Sequence, residues 1–329
     1  MKTFIFLNGS TFLYPFRKHL RVFSWLLVLN VFVISGCQDD SDIPDPAQPF
    51  GKEYFVAATD VGTLPKTLLQ TYATAAGFGN FTAAIKYDVT FYKFTYKTTY
   101  KDAPIEASGL LAVPKNTPAP PALLSAQHGT MFKDTDAPSN FPASFTGFEL
   151  FGAAGFITVI PDFIGYGVSK DIFHPYYDEK HSALAVVDML KAAKFYLEDQ
   201  KIAHNDNLFL VGYSEGGYVT MAAQKEIETN PAHKLTLTAA AEGAGGYDLT
   251  GMLNQVATAT SYSNPSFLAF ILQSYNTTYN WNRPLTDFFQ QPYATELPGL
   301  FNGTKDIDQI NTALNPNPAQ LFDNTFYTN

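Results

Sequence analysis

A single cysteine, Cys37, stands in the 329-residue sequence, and one thiol cannot close an internal disulfide. Basic residues are also in short supply: 21 Lys and Arg against 30 Asp and Glu give a formal net charge of −9, and no basic run follows the N-terminal segment. That balance argues against nucleic acid as a partner and suits a neutral or acyl substrate better. Histidine is scarce at six, and only His233 follows residue 214, which limits the sources of a catalytic imidazole. The apolar stretch from Val22 to Ser35, interrupted by Asn30, is too short for a comfortable membrane span. Repeats and low-complexity tracts are absent. What is present is a chain with 46% hydrophobic residues, long enough for one large α/β domain, or two smaller ones, around a substantial core.

Lys2, Arg17, Lys18 and Arg21 precede the apolar stretch, the charge order of a targeting segment. It ends in Val33-Ile34-Ser35-Gly36-Cys37, which resembles the lipobox of bacterial lipoproteins. On that reading residues 1–36 are a signal peptide, and Cys37 is lipidated and anchors the exported chain to the bacterial outer membrane. The plainer alternative is a buried thiol at the end of an uncleaved anchor helix. Residues 37–50 carry Gln38-Asp39-Asp40-Ser41-Asp42 and then Pro44, Pro46 and Pro49, so they read as an extended, disordered tether. The acidic run resembles the surface-export signal of some Gram-negative lipoproteins, and a solvated spacer explains it equally well.

Residues 51–244 read as an α/β core. A short strand near Tyr54 to Ala57 leads into a helix with Leu64, Leu68, Leu69 and Tyr72 at helical spacing. Ile85 to Tyr96 alternates apolar and polar residues but changes phase near Phe91-Tyr92, which predicts a strand with a bulge. Its partner is Ile105 to Val113, with Lys101-Asp102-Ala103-Pro104 as the turn of an antiparallel hairpin. Ala122 to Ala126 and Phe156 to Ile160 are continuous apolar runs, as in strands buried on both faces of a parallel sheet. Between Asp178 and Asp199, Ala183, Val186, Val187, Leu190, Ala193 and Leu197 share one helical face, with Asp188, Lys191 and Glu198 largely off it. Leu208 to Val211, a helix after it, and Leu235 to Ala241 complete a doubly wound, mainly parallel sheet. Over residues 245–329 this rhythm is lost. Asn264-Pro265 opens one helix there, through Phe267, Phe270 and Ile271, and the section reads as a lid or cap.

The chemistry centres on Gly212-Tyr213-Ser214-Glu215-Gly216-Gly217, a G-x-S-x-G pattern between an apolar strand and a helix. A serine hydroxyl is a weak nucleophile, and this sharp turn exposes it while the helix N-terminus aims N–H groups at a developing oxyanion. Gly212 and Gly216 leave room for the turn. Two further motifs follow earlier strands: Gln127-His128-Gly129-Thr130, and Asp162-Phe163-Ile164-Gly165-Tyr166-Gly167-Val168-Ser169. Asp162 is expected to bond backbone amides and shape its loop, with Gly165 and Gly167 permitting tight turns.

With these motifs in this order the chain resembles the α/β-hydrolase superfamily over about Tyr87 to Ala241. Together with His174-Pro175-Tyr176 they look like the bacterial and fungal secretory lipase family. The resemblance implies an α/β-hydrolase sheet with a helical lid after the sixth strand. It gives Ser214 as the nucleophile and the backbone N–H groups of Thr130 and Glu215 as the oxyanion hole, with His128 structural and no cofactor or metal. It also places the triad acid and histidine after the lid, and here the sequence departs from it. Of His19, His128, His174, His181, His204 and His233, the last alone follows Ser214, at the wrong end of its strand and on the expected surface. Asp248, Asp287, Asp306, Asp308 and Asp323 read as lid-surface carboxylates, while His174 and His181 lie on the side where they could line the pocket. The expectation is therefore a lipid-anchored serine carboxylic-ester hydrolase acting on a small acyl ester through an acyl-enzyme. The last core strands are expected to be missing and the chain as written inactive. The alternatives are a serine peptidase or acyl-peptide hydrolase, and a non-catalytic surface lipoprotein on the same fold.

Overall fold

The computed structural model describes residues 48–328, so the expected targeting segment, Cys37, His19 and the expected tether up to residue 47 lie outside the described residues. One seven-stranded sheet runs in the order β1-β2-β3-β5-β4-β6-β7. β1 (Phe55–Leu64), β2 (Val89–Tyr100) and β3 (Ala103–Pro114) are antiparallel, and β3 also meets β5 (Ile157–Pro161) antiparallel. From there β4 (Leu123–Gln127), β6 (Leu208–Tyr213) and β7 (Ala239–Gly243) continue parallel. The α/β-hydrolase reading of the sequence therefore holds: a mixed, mainly parallel sheet flanked by helices. Lys101 and Asp102 alone make the hairpin turn, both at positive φ, which matches the twist of the flanking strands.

Both faces of the sheet are covered. α1 (Lys66–Ala75) and α2 (Leu150–Ala154) cover one face, where Leu69 and Leu150 pack with Val89, Phe91, Leu110, Leu124 and Ile160. α3 (Glu179–Asp199) and α4 (Glu215–Thr229) cover the other, against Phe94, Tyr96, Leu111, Val159 and Leu210. This arrangement corrects the expected bulge in the second strand. β2 pairs with β3 without interruption, and its change of apolar phase is a change of face: Val89 and Phe91 feed one layer, Phe94 and Tyr96 the other. The register shifts belong to β1, one between Phe55 and Ala57 and one between Asp60 and Gly62, the latter opposite Tyr92 and Phe91.

Two other expectations need correction. Asp188 and Lys191 of α3 are buried, because β2 and the segment before β1 close over that side of the helix. Asp188 accepts a hydrogen bond from Thr98 at 2.8 Å and one from Lys191 at 3.3 Å, and Lys191 reaches the Tyr54 hydroxyl at 3.1 Å. The last strand is also later than its apolar residues suggest. Leu235 and Leu237 pack against the core outside any strand, and the parallel ladder with Phe209–Tyr213 falls on Ala239–Gly243. Among the described residues no strand pairs on the outer side of β7.

After β7 come α5 (Leu249–Thr258), α6 (Pro265–Thr278), α7 (Tyr293–Leu300), α8 (Ile307–Ala313), α9 (Pro318–Leu321) and α10 (Asn324–Thr328). They share an aromatic core of their own, with Phe270, Phe288, Phe289 and Phe322, which meets the α/β part through Phe132, Tyr176 and Tyr177. α6 is fastened to the α/β part along its C-terminal half. Tyr275 donates to the Tyr177 carbonyl at 3.1 Å, Tyr279 donates to Asp178 at 2.8 Å, and Lys101 of the hairpin turn donates to Asn280 at 2.7 Å. No helix among the described residues is long and apolar enough to cross a membrane.

Candidate active site

The ends of β4 and β6, adjacent parallel strands, bring the motif residues together. Ser214 follows β6 and caps α4 with φ +59° and ψ −125°, a sparsely populated conformation for a residue with a side chain. Its backbone is held on both sides: its N–H donates to the Gly243 carbonyl at 2.8 Å, and its carbonyl accepts from Gly217 at 2.9 Å. The turn fits only because its neighbours lack side chains. A Cβ at Gly212 would stand 2.0 Å from the Gly216 carbonyl oxygen, and one at Gly217 would stand 2.4 Å from that of Gly243. Tyr177 and Ala244, which line the cavity over Ser214, also adopt positive φ.

The turn after β4 lies against this elbow. A Cβ built on Gly129 would be 3.7 Å from the Ser214 Cβ, and one on Gly216 would meet the Gln127 carbonyl oxygen at 2.0 Å. The N–H groups of Thr130 and Glu215 find no acceptor among the described residues. Beneath them Gln127 accepts from Thr220 at 2.7 Å, which ties β4 to α4. His128 is buried and faces Phe163 at a ring separation of 4.1 Å, its Nδ1 2.8 Å from the Gly129 carbonyl; burial lowers its basicity. Asp162 is fully buried. It accepts from the Ser108 hydroxyl at 2.6 Å and from the Ser139 N–H at 2.7 Å, and burial pushes its carboxyl above the usual range. Gly165 and Gly167 leave no room for a Cβ, the first against His174 and the second against Ser108 and Asp162.

A cavity of about 310 Å³ opens over Ser214, walled by Tyr176, Tyr177 and Tyr262 and by Leu249, Met252, Leu253 and Val256 of α5 with Phe267, Leu268 and Ile271 of α6. Its size and apolar lining suit a small ligand with an aliphatic or aryl group. Neither His174 nor His181 lines it. His174 Nδ1 lies 2.6 Å from the Ile164 carbonyl and Nε2 lies 2.7 Å from Glu215 Oε1, while His181 Nδ1 pairs with Asp178 at 2.6 Å. Both rings are engaged by these contacts, and neither bonds Ser214. His233, expected on the surface, is buried instead, because the turn at residues 231–233 folds back on α4 and its Nε2 reaches Glu226 at 2.6 Å. Of the carboxylates after β7, Asp248 caps α5, Asp306 caps α8, Asp308 lies in the first turn of α8, Asp287 pairs with Arg283 at 3.0 Å, and Asp323 accepts from the Thr325 N–H at 2.9 Å. Among the described residues no imidazole or carboxylate bonds the Ser214 hydroxyl.

Residues outside every motif also meet here. Glu242 of β7, opposite Gly212, keeps Oε1 buried without a partner, and Tyr218 of α4 donates to the Tyr177 carbonyl at 3.0 Å. The only sequence signal for Glu242 was a charge at the C-terminal end of a strand.

A sequence profile of the secretory lipase family matches residues 149–296. No curated protein matches the sequence at significant similarity. Among solved structures, a Legionella pneumophila protein of proposed hydrolase function is 28% identical with a TM-score of 0.77, over 84% of this chain and 75% of that one. The rice cell-wall-degrading esterase LipA of Xanthomonas oryzae is 23% identical with a TM-score of 0.72, over 83% of this chain and 74% of its own. Candida antarctica lipase A is 17% identical with a TM-score of 0.56, over 84% and 62%. The last two likenesses bear on the fold alone. The profile and the fold together support a hydrolase of the lipase and esterase kind.

Proposed function

We propose that this chain, an α/β-hydrolase in fold and similar to the secretory lipases, is a serine carboxylic-ester hydrolase with Ser214 as its nucleophile. The observation that carries the reading is the junction of β6 and α4. There a serine in a strained left-handed turn lies beside two unengaged N–H groups, under an apolar cavity of about 310 Å³. The acyl group lies against α5 and α6, and its carbonyl oxygen points between the Thr130 and Glu215 N–H groups. Ser214 Oγ attacks the carbonyl carbon, the tetrahedral oxyanion is held by the two N–H groups, and the alcohol leaves. Water then releases the acid from the acyl-enzyme. Loss of the serine proton calls for a base. The described residues place none on Ser214, so by themselves they support oxyanion and binding effects on the order of 1,000- to 10,000-fold over water.

A fluorophosphonate probe tests the reading. Purified protein is expected to be labelled on Ser214 and to release acid from an activated carboxylic ester only slowly, at the level that oxyanion and binding effects support without a base, and Ser214→Ala is expected to lose both with its fold intact. Labelling or ester turnover that survives Ser214→Ala overturns it.

The lipobox-like sequence supports export and lipidation at Cys37, with the mature chain tethered to the outer membrane. Cys37→Ser is expected to block signal-peptide processing and move the protein out of the membrane fraction. Unchanged processing and fractionation overturn the anchor.

A further inference from the structure

We infer that Tyr166, His174 and Tyr176, three side chains of one loop segment, act as positioning residues that clamp the two halves of the oxyanion hole together, with His174 also cancelling the charge of Glu215. The inference deepens the proposed function and rests on it. The two N–H donors come from different parts of the chain, Thr130 after β4 and Glu215 after β6, and no hydrogen bond joins those two residues directly. The segment between β5 and α3 reaches both. The Tyr166 hydroxyl donates to the Met131 carbonyl, and the Tyr176 hydroxyl lies 3.0 Å from Thr130 Oγ1, so the first half is gripped at the residue that carries the N–H and at the one after it. On the second half His174 Nε2 lies 2.7 Å from Glu215 Oε1. The three rings form one packed group: His174 lies 5.1 Å from Tyr166 and 6.0 Å from Tyr176 between ring centres, with Phe163 and Phe270 stacked beside it. Gly165, with no space for a Cβ against the His174 backbone, holds the segment close. Burial keeps both tyrosine hydroxyls protonated, well above the usual phenol range.

The charge argument follows from the hydrogen bonds. A carbonyl only accepts, so His174 Nδ1 carries a proton toward Ile164 at 2.6 Å. The short Nε2 to Oε1 contact then needs one proton between two acceptor atoms. Imidazolium with carboxylate and imidazole with carboxylic acid both satisfy it, and in either form the pair is neutral overall. Neutrality matters because Glu215 is 2% exposed and its own N–H is meant to hold an anion. A bare carboxylate there, in a site of low dielectric, repels the oxyanion that the N–H attracts. His174 touches no substrate in this arrangement; it acts through Glu215.

The test compares variants of the full chain by the second-order rate of fluorophosphonate labelling at Ser214, and by kcat and KM for an activated ester, with thermal unfolding as a check on the fold. His174→Ala is expected to slow labelling and kcat by about 10- to 100-fold with KM little changed, since a misplaced or opposed oxyanion donor acts on the transition state. Adding Glu215→Gln to His174→Ala is expected to recover much of that loss by removing the bare charge. A packing role for the imidazole predicts no recovery. Tyr176→Phe keeps the ring and removes only the hydroxyl, so it remains informative where His174→Ala does not fold. It is expected to lower kcat about tenfold, and the double variant with Thr130→Val is expected to fall no further than Tyr176→Phe alone. Absent or Ser214-independent labelling of the parent protein overturns the hydrolase reading itself. Ser214-dependent labelling that His174→Ala and Tyr176→Phe leave unchanged, or that Glu215→Gln fails to restore, overturns the clamp alone.

Discussion

Gly216→Ala tests how closely the elbow must approach the turn after β4. A Cβ at this position would stand 2.0 Å from the Gln127 carbonyl oxygen, 2.5 Å from its carbon and 2.6 Å from the His128 carbonyl oxygen, whereas real Cβ atoms essentially never come within 3.0 Å of such atoms. The shortfall is about 1 Å, and every obstacle is backbone, which cannot rotate away as a side chain does. The elbow and the turn therefore have to part by that distance, and with them the Glu215 and Thr130 N–H groups. Overpacking of this kind costs about 1–3 kcal/mol, and a rigid obstacle puts it near the upper end. A misplacement of about 1 Å in a reacting site costs about 100-fold in rate. Urea unfolding reads the first quantity and fluorophosphonate labelling at Ser214 reads the second. Gly299→Ala in α7, where a Cβ meets nothing within 4 Å, serves as the control and should hold parent stability to within about 1 kcal/mol. A Gly216→Ala protein that labels as fast as the parent, or unfolds at the same urea concentration, would refute the close-approach argument.

Asp162→Ala strands the Ser108 hydroxyl and the Ser139 N–H, at about 1–3 kcal/mol each, whereas Asp162→Asn keeps an acceptor for Ser139 and should be far milder in urea. Because burial raises the Asp162 carboxyl in the folded state, the folded protein retains a proton that the unfolded chain gives up at about pH 4. That contribution to stability is fully present below pH 4 and is lost as pH rises through the folded value; Asp162→Asn should flatten this slope, and an unchanged slope would remove Asp162 as its source. Lys191→Met leaves the Asp188 carboxylate buried with Thr98 as its one remaining side-chain donor and should cost about 3–5 kcal/mol by thermal or urea unfolding. Adding Asp188→Asn should restore most of that loss, and failure to do so would mean that the lysine acts mainly by packing over Tyr54.

The sheet was legible where local pattern and tertiary demand coincide, as in the apolar runs that became β4, β5 and β6 and in the glycines of the elbow. It was misleading where pairing overrode hydrophobicity: Leu235 and Leu237 look more strand-like than Ala239-Ala240-Ala241, yet the ladder with β6 selects the alanines. Periodicity in α3 shows one apolar face and is silent about what else covers the helix, so the burial of Asp188 and Lys191 could not be read from spacing. The helices after β7 carried signals of their own, such as the Asp306 and Gln309 capping box of α8, but short helices without strands between them give no rhythm to follow. The His174 to Glu215 contact joins residues 41 positions apart, one in the segment before α3 and one at the start of α4, and leaves no mark in the local sequence.

The two helices that wall the Ser214 cavity differ in how firmly they are held. α6 buries Leu268, Ala269, Phe270, Gln273 and Ser274 and is bonded at its far end to the start of α3 and the hairpin turn; among the described residues α5 contributes no fully buried one, and Met252 and Leu253 stand about half exposed at 45% and 48%. Segments with few buried contacts open at low free energy. The cavity thus behaves as a vice with one fixed jaw and one compliant jaw. An acyl chain that branches toward Phe267 and Ile271 meets an unyielding wall, while one that grows toward Met252 and Leu253 meets a wall that gives. On the proposed function tolerance of substrate size is directional, and exchange of side chains on α5 should widen the range of accepted chain lengths while exchange on α6 narrows it.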